Sequence, residues 1–426
     1  RGWGMSAAAA NQAIVIGAGI VGVCTALQLR RAGWDTTLID RDGPGQACSF
    51  GNAGIMAGDV VPPVASPGVL WKVPGYLADP DAPLAIRWSY LPKLLPWLFH
   101  FVRCSRPEVY ERNTKAMATL LAHAHESYRP LVEAAGARDL LHFGGALQVF
   151  ETEASFASGR KDAEFRRALG ADVQELAAHE LPQFAPGLAP VLAGGLYRPN
   201  VGHIRDPLAL TTALHEEFLR CGGRHLCFGV DRLERLRSGR WAVRGTDGAG
   251  GAADVEGDCV AVAAGAWSGR LLRGLGLRVA LDTERGYHVT LPRAQCDMRI
   301  PISSSEGAFY ATPMAGGLRI AGTVEMGGLD LPPAVPRRTE AMMRRARRYF
   351  PGLDETGAST WMGFRPSMPD SLPVIGPVDE LPGLFLAFGH AHLGMTLGAV
   401  TGRLVTQAMS GQPTDVDLAP FRWDRF

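Results

Sequence analysis

Paired cysteines, an excess of charge of one sign and a long apolar run are all missing from this sequence of 426 residues. Its seven cysteines form an odd set with no CxxC pair and no Cys/His cluster at metal-ligand spacing. This pattern excludes a disulfide framework and a structural metal, and it predicts buried free thiols in a reducing compartment. The formal net charge of +1 gives no electrostatic reason to expect a nucleic acid as partner. We therefore expect a cytoplasmic protein.

The most apolar stretch, residues 85–102, is too interrupted to cross a membrane. Pro92, Pro96, Arg87 and Lys93 divide it, whereas a membrane span needs about 18 or more consecutive apolar residues. Its aromatic residues leave two interpretations open. It is either a buried helix packed on its own domain or a peripheral contact with the inner face of the membrane.

The size of the chain predicts two domains. Single hydrophobic cores stop growing near roughly 250–300 residues. The apolar content of 46% and charged content of 20% are those of an ordinary soluble globular protein.

The first clear element of the sequence is a β-α-β unit with a glycine-rich turn. The apolar run AIVI (13–16) is typical of a buried strand, GAGIVG and a helical stretch follow it, and DTTLID (35–40) predicts the next strand. Gly17 permits the tight turn, Gly19 lets the backbone approach a pyrophosphate, and Gly22 lets helix and strand pack closely. The helix N-terminus stabilises phosphates with its partial positive charge.

Asp40 ends the second strand and selects among the dinucleotides. Its carboxylate can accept hydrogen bonds from a ribose diol, and it repels a 2′-phosphate, so NADP is not expected. The β-α-β unit by itself leaves NAD and FAD open.

Three further stretches favour FAD over NAD. The loop CSFGNAG (48–54) carries Ser49 and Asn52, which can hydrogen-bond a long cofactor that extends away from the first turn. The strand ending in AAGAWS (263–268) places small residues where an adenine or pyrophosphate edge can lie. GHAHLGMTLG (389–398) places a second helix N-terminus where it can face the far end of the cofactor.

We predict an α/β protein with two domains. One is a Rossmann-like FAD-binding domain built from separated segments, 11–100, 200–276 and 358–426. The other is a strand-rich substrate-binding domain with a mixed or antiparallel sheet, formed by 101–199 and 277–357.

Several motifs in order give the chain a family resemblance: GAGIVG with Asp40, SFGNAG, ERGYHV, WMGFRP with SMPDSLPVIGP, and GHAHLGMTLG. Together they resemble the D-amino-acid oxidase superfamily of flavoproteins, above all the bacterial D-amino-acid dehydrogenases of the small-subunit type and the D-hydroxyproline dehydrogenases. The resemblance runs nearly from end to end. It implies FAD, a two-domain fold and oxidation of a carbon that bears an amine.

The resemblance also implies which residues hold FAD. Two groups are expected at the ADP half and two around the flavin and its ribityl chain. They are Gly17, Gly19, Ile20, Val21, Gly22, Asp40 and Arg41; Val230, Ala264, Gly265 and Trp267; Ser49, Asn52, Gly54 and Ile55; and His390, Leu393, Gly394 and Thr396.

The same resemblance implies that Arg365 binds the substrate carboxylate. A planar guanidinium grips a carboxylate in bidentate fashion, which sets orientation as well as affinity. Tyr287 and Tyr310 are expected as phenol donors to that carboxylate, and His390 is a candidate to assist removal of the amine proton.

The expected reaction is FAD-dependent dehydrogenation of a D-amino acid by hydride transfer from Cα to flavin N5, with an imine or keto acid as product and a quinone or another acceptor for the electrons. A cyclic imino acid such as D-proline or 4-hydroxy-D-proline is a candidate substrate. Two alternatives stay open: an oxygen-using oxidase of sarcosine or glycine type, and a flavin-carrying subunit of a larger complex. The stretch 85–102 and an arginine-rich helix over 337–350 suggest the second.

Overall fold

The computed structural model describes residues 11–69, 71, 75, 79, 81–190, 192–294 and 297–426. Its helices are α1 Ile20–Arg31, α2 Leu91–Cys104, α3 Pro107–Ala122, α4 Ala124–Ala134, α5 Glu153–Ala168, α6 Pro207–Arg220, α7 Ser268–Arg273, α8 Val335–Tyr349 and α9 Gly394–Met409.

The first half of the strands are β1 Gln12–Ile16, β2 Asp35–Asp40, β3 Ile55–Met56, β4 Leu84–Ile86, β5 Leu141–His142, β6 Ala146–Phe150, β7 Gln174–Ala177, β8 Gly194–Arg198, β9 Gly202–Ile204 and β10 Arg224–Arg235. The second half are β11 Trp241–Asp247, β12 Ala252–Gly257, β13 Cys259–Val262, β14 Asp282–Leu291, β15 Ile302–Ser304, β16 Phe309–Met314, β17 Gly317–Met326, β18 Ser359–Ser367, β19 Val374–Pro377 and β20 Leu384–Phe388.

One sheet is assembled from distant parts of the chain in the order β12-β11-β10-β2-β1-β13-β20-β19. Its centre is parallel, because β1 pairs with β2 on one side and with β13 on the other. The apolar side chains of β1 are buried on both faces, as expected for a central parallel strand. Helices α1 and α9 pack against each other on this sheet, so the first and last of the named helices share one core.

The second sheet has the order β18-β14-β17-β16-β15-β6-β8-β7, and β4 pairs with β17 beside this path. Most of its pairings are antiparallel, while β15 and β6 are parallel. A separate hydrophobic core lies between this sheet and helix α8. The mixed α/β architecture confirms the predicted fold class, with a doubly flanked parallel sheet and a strand-rich second layer.

Some elements lie in a different sheet or core from the one that the predicted domain boundaries imply. Strands β4 and β18 fall inside segments expected in the nucleotide-binding domain, yet both pair within the second sheet. Helices α3 and α4 contribute to the core of the first sheet, although they were expected in the substrate-binding domain. Pairing and packing partners that are distant in sequence decide these placements, and local pattern does not report them.

Helix α8 is only partly a solvated basic face. Arg338 is buried, and its guanidinium donates to the carbonyl oxygen of Ala82 at 2.9 Å and to that of Pro83 at 3.1 Å. Helix α2 is also mixed, with Leu94 and Trp97 buried in a small core of its own. Among the helices that the structure describes, none is both long enough and apolar enough to span a membrane.

Candidate active site

The glycine-rich turn between β1 and α1 requires glycine at two of its three positions. Gly17 has φ +108°, and a Cβ there would lie 2.4 Å from the carbonyl oxygen of Ala263. A Cβ at Gly22 would lie 1.7 Å from the carbonyl oxygen of Gly17. At Gly19 a Cβ would meet only the Ser49 hydroxyl, at 3.4 Å, so the backbone there is open to the space in front of the turn.

Asp40 and Ser49 are held against this turn by main-chain amides. Asp40 Oδ2 accepts from the Ala18 amide at 2.6 Å, and its Oδ1 accepts from the Asp42 amide at 3.0 Å. Ser49 Oγ accepts from the amide of Ile20, the first residue of α1, at 2.9 Å. The structure thus places Ser49 at the dinucleotide turn, whereas the sequence predicted it at the flavin end of the cofactor.

A cavity of about 950 Å³ extends from this turn across the start of α9 to the second sheet. Most of the residues predicted at the site line it. They are Gly17, Gly19, Ile20, Val21, Asp40, Arg41, Ser49, Asn52, Ile55, Val230, Ala264, Gly265, Trp267, Tyr310, Arg365, His390, Leu393 and Gly394. Four predicted residues do not line it: Gly22, Gly54, Tyr287 and Thr396.

Arg41 and Trp267 form one side of the cavity near Asp40. The Arg41 guanidinium carbon lies 4.5 Å from the centre of the Trp267 ring, a cation–π distance. Val230, on β10, faces the same end of the cavity. This end combines a flat indole, a guanidinium and the Asp40 carboxylate, which suits an adenosine with its ribose and phosphates.

The loop 48–54 keeps its shape through its own polar groups and through Arg319. Asn52 Oδ1 accepts from the Gly54 amide at 2.8 Å, and Gly54 adopts φ +73°. Arg319 Nη1 donates to the carbonyl oxygens of Phe50 at 2.9 Å and Asn52 at 2.7 Å. Sequence reasoning missed Arg319, because its role depends on β17 lying under a loop more than 260 positions earlier in the chain.

The Thr396 side chain forms hydrogen bonds within the protein and does not line the cavity. Its hydroxyl donates to the carbonyl oxygen of Ile55 at 3.2 Å and accepts from the Ala57 amide at 3.1 Å. These two bonds fasten β3 to the first turn of α9. Within the segment 389–398 that the sequence singled out, this threonine therefore contributes by positioning Ile55.

Arg365 extends from β18 into the cavity over a glycine. A Cβ at Gly286 would lie 2.4 Å from the Arg365 guanidinium carbon, so the side chain rests directly on the Gly286 backbone. Trp361 is accommodated in the same way by Gly51 and Gly363. Among the described residues, no carboxylate oxygen lies within 4.0 Å of the Arg365 guanidinium.

Strand alternation explains which side chains of β14 reach the cavity. Glu284, Gly286 and His288 share one face of β14, and of these Glu284 lines the cavity. Arg285 and Tyr287 lie on the other face, towards α8. Tyr287 is buried there, and its hydroxyl donates to Glu325 Oε2 at 3.1 Å. It is therefore not brought to Arg365. Tyr310 does line the cavity and is 41% exposed.

Two buried histidines beside the cavity are uncharged near neutral pH. Burial lowers the pKa of His390 to about 3. Burial, together with Arg319 and Arg365, lowers the pKa of His288 to about 3. His390 Nε2 lies 2.9 Å from Thr401 Oγ1. His390 thus presents a neutral ring with one nitrogen engaged, which makes it a weak base.

Comparisons with known proteins agree with this geometry. A model of the family described as FAD dependent oxidoreductase (DAO) matches residues 12–408. The chain belongs to this family. It is 38% identical over 419 residues to a D-amino-acid oxidase of Bradyrhizobium diazoefficiens, covering 97% of this chain and 98% of the relative. It is 33% identical over 416 residues to a D-amino acid dehydrogenase of Phenylobacterium zucineum, covering 96% of each.

Among solved structures, glycine oxidase from Geobacillus kaustophilus has the same fold, with a TM-score of 0.72, 23% identity, and coverage of 98% of this chain and 99% of that one. These matches confirm the expected family, fold class and FAD-dependent oxidoreductase activity. The residues present fit FAD, since the backbone at Gly19 is open and the cavity continues from Asp40 to the start of α9. When bound, FAD supplies the acceptor for a hydride.

Proposed function

We propose that the protein oxidises a D-amino acid, removing a hydride from Cα and leaving an imine that water hydrolyses to a keto acid. The observation that carries the proposal is the Arg365 guanidinium, which lines the cavity with no carboxylate within 4.0 Å among the described residues. A buried or half-buried guanidinium normally pairs with an anion, and the substrate carboxylate supplies one here. The two relatives named above, a D-amino-acid oxidase and a D-amino acid dehydrogenase, support the same substrate class.

The residues of the chain contribute mainly by positioning. Arg365 fixes the carboxylate end of the substrate, and Gly286 fixes Arg365 by letting its guanidinium lie on the backbone. Trp361 and His288 stack with ring centres 5.1 Å apart and wall off the adjacent part of the cavity. Hydride transfer needs close and aligned reactants, so this rigid placement is the contribution expected of the protein.

We propose the remaining predicted cofactor contacts as working assignments. Asp40 and the turn Gly17–Gly19 bind the ribose and pyrophosphate, Val230 and Trp267 flank the adenine, and the start of α9 at Gly394 faces the flavin. With FAD bound, the helix N-terminus at Gly394 would stabilise negative charge that develops on the cofactor.

Within the D-amino acids, a cyclic imino acid such as D-proline or 4-hydroxy-D-proline remains our candidate. The test is anaerobic mixing of the holoenzyme with a panel of D-amino acids, their L-enantiomers and cyclic imino acids. We expect the D-series to bleach the flavin absorption and the L-series to leave it unchanged. Bleaching by L-amino acids alone, or by none of the panel, contradicts the proposal.

For the electron acceptor we propose a quinone, reached from the surface of helix α2. Leu95, Phe99 and Val102 share one face of this helix, and each is at least 44% exposed. Such a face suits a peripheral membrane contact or a partner subunit. Oxygen is the competing acceptor, as in an oxidase of glycine or sarcosine type. Comparison of reoxidation rates with air and with a soluble quinone separates the two.

A further inference from the structure

Glu284 is a second charged residue on the cavity face of β14, directly opposite Arg365. Strands β14 and β18 are antiparallel, and their register pairs Glu284 with Arg365 and Gly286 with Gly363. Side chains directly opposite each other on one face have Cβ atoms about 4.5–5.5 Å apart. Both Glu284 and Arg365 line the cavity. An anion and a cation therefore enter the same space from neighbouring positions.

The two groups nevertheless do not form an ion pair. The Arg365 guanidinium lies over Gly286, and no oxygen of Glu284 comes within 4.0 Å of it. A cross-strand glutamate and arginine would ordinarily close such a gap. Here the gap leaves opposite charges facing one cavity at a short separation, which is the charge pattern complementary to an amino acid zwitterion.

We infer that Glu284 binds the α-amino group of the substrate while Arg365 holds its carboxylate, so that together they select amino acids over simple carboxylic acids. The inference rests on the proposed function and assigns the other end of the same substrate. Neither residue type nor motif spacing in the sequence indicated it. The signal lies in the pairing of two strands separated by about 80 positions along the chain.

The surroundings of Glu284 favour a cation. Burial raises the pKa of Glu284, Arg365 and the Ser367 side chain oppose the rise, and Asp282 adds to it. Asp282 lies two positions earlier on the same face of β14, and burial raises its pKa as well. The Asp282 carboxylate accepts from the Tyr90 hydroxyl and does not line the cavity, so on this strand Glu284 is the carboxylate that faces a ligand. A bound ammonium offsets the cost of keeping Glu284 charged in its partly buried place.

The other titratable groups near this point supply no competing cation. Burial raises the pKa of the Cys48 thiol to about 12, so it stays neutral. His288 is neutral for the reason given above, with a pKa of about 3. Arg365 is therefore the cation that acts on Glu284, and the substrate carboxylate takes up Arg365.

The test compares D-alanine with propanoate, which is D-alanine without its amino group. The dissociation constant of D-alanine is obtained from the saturation of anaerobic flavin reduction in the holoenzyme, and that of propanoate from its competition with D-alanine. In the native enzyme we expect D-alanine to bind about tenfold or more tightly than propanoate, the gain from one charge-assisted hydrogen bond. In Glu284→Gln we expect weaker binding of D-alanine and equal or tighter binding of propanoate, because the repulsive carboxylate is gone.

Two further variants distinguish a binding role of Glu284 from a merely structural one. Glu284→Asp keeps the charge and should retain part of the preference for D-alanine. Glu355→Gln changes a half-exposed glutamate that is paired with Arg347 and does not line the cavity, and it should change neither constant. The inference is overturned if Glu284→Gln binds D-alanine and propanoate more weakly to the same degree, or if its preference for D-alanine is unchanged. Failure of the proposed function gives a different result: no D-amino acid reduces the flavin of the native enzyme.

Discussion

The guanidinium of Arg365 lies directly on the backbone of Gly286, where a Cβ would come within 2.4 Å of its central carbon. Glycine at this position thus sets the place of a side chain 79 positions later in the chain, across the β14–β18 pairing. The contact is with the far end of a flexible side chain. A methyl group at Gly286 can therefore be accommodated if the guanidinium moves, and the cost falls on the site and not on the fold.

The variant Gly286→Ala tests this relationship. We expect KM for the amino acid to rise about ten- to a hundredfold, because a small displacement of a positioning group costs binding and alignment. FAD content and melting temperature should stay close to those of the native enzyme. Steady-state kinetics measures KM, and flavin absorption measures the FAD content. Gly352→Ala is the control, since a Cβ there has no atom within 4 Å.

Asp40→Asn tests the cofactor end of the cavity. An amide in place of the carboxylate loses at least one of two charge-assisted bonds, to the Ala18 amide or to the Asp42 amide. It also loses the acceptor expected for the ribose diol. We expect FAD affinity to fall about tenfold or more in a titration that follows flavin fluorescence. Asp379→Asn, at an exposed position that is paired with Arg422 and does not line the cavity, should keep native affinity. Unchanged affinity in Asp40→Asn contradicts the assignment.

Arg319→Met tests the support of the loop 48–54. Loss of the guanidinium leaves the Phe50 and Asn52 carbonyl oxygens without this donor, at a cost of about 1–3 kcal/mol each where they stay buried. We expect faster proteolysis within the loop and faster loss of FAD. Arg344→Met, at an exposed position paired with Asp81, is the matched control. Native protease resistance in Arg319→Met would show that the loop is held by other contacts.

Acidification should destabilise the protein. Burial lowers the pKa of His203 and His215 to about 4, and that of His288 and His390 to about 3. Histidines in the unfolded chain titrate near about 6.5, so below that pH the unfolded state binds more protons and is stabilised relative to the folded state. This stability is present above about pH 6.5 and is lost as the pH falls towards 4.

Carboxyl groups with raised pKa values act in the opposite direction, as at Asp59, Asp282 and Glu284. They are fewer than the buried histidines, so we expect the free energy of unfolding to decrease on acidification. Urea denaturation at about pH 7.5, 6 and 5 measures it. His215→Gln, away from the cavity, should reduce the slope with pH by about one proton. A free energy of unfolding that is constant or increases over this range contradicts the pKa directions.

The parts of the site that local pattern encodes were predictable. Gly17, Gly19 and Asp40 belong to one β-α-β unit, where spacing, strand pattern and turn chemistry act over about 30 residues. Arg365 and His390 were predicted from the family resemblance. By contrast, Tyr287 was expected in the cavity and lies on the other face of its strand. Alternation separates Tyr287 from its neighbours, but the sequence alone does not tell which face of β14 is covered by which layer.

The residues that sequence reasoning missed share a long-range cause. Glu284 matters because β14 pairs with β18 in one register, and Arg319 because β17 runs beneath the loop 48–54. Trp361 requires Gly51 and Gly363, which come from two separate segments. Such relationships depend on strand register and on packing between distant segments, and neither leaves a local pattern in the sequence.

The central claim is that Arg365 binds the substrate carboxylate, and Arg365→Leu in the holoenzyme tests it most directly. The measurement is anaerobic flavin reduction over a series of D-alanine concentrations, with propanoate as competitor and FAD content determined on the same sample. We predict that D-alanine and propanoate both bind about tenfold or more weakly, because both present a carboxylate, while FAD remains bound. Native affinity for both ligands, or loss of FAD from the variant, would contradict the account.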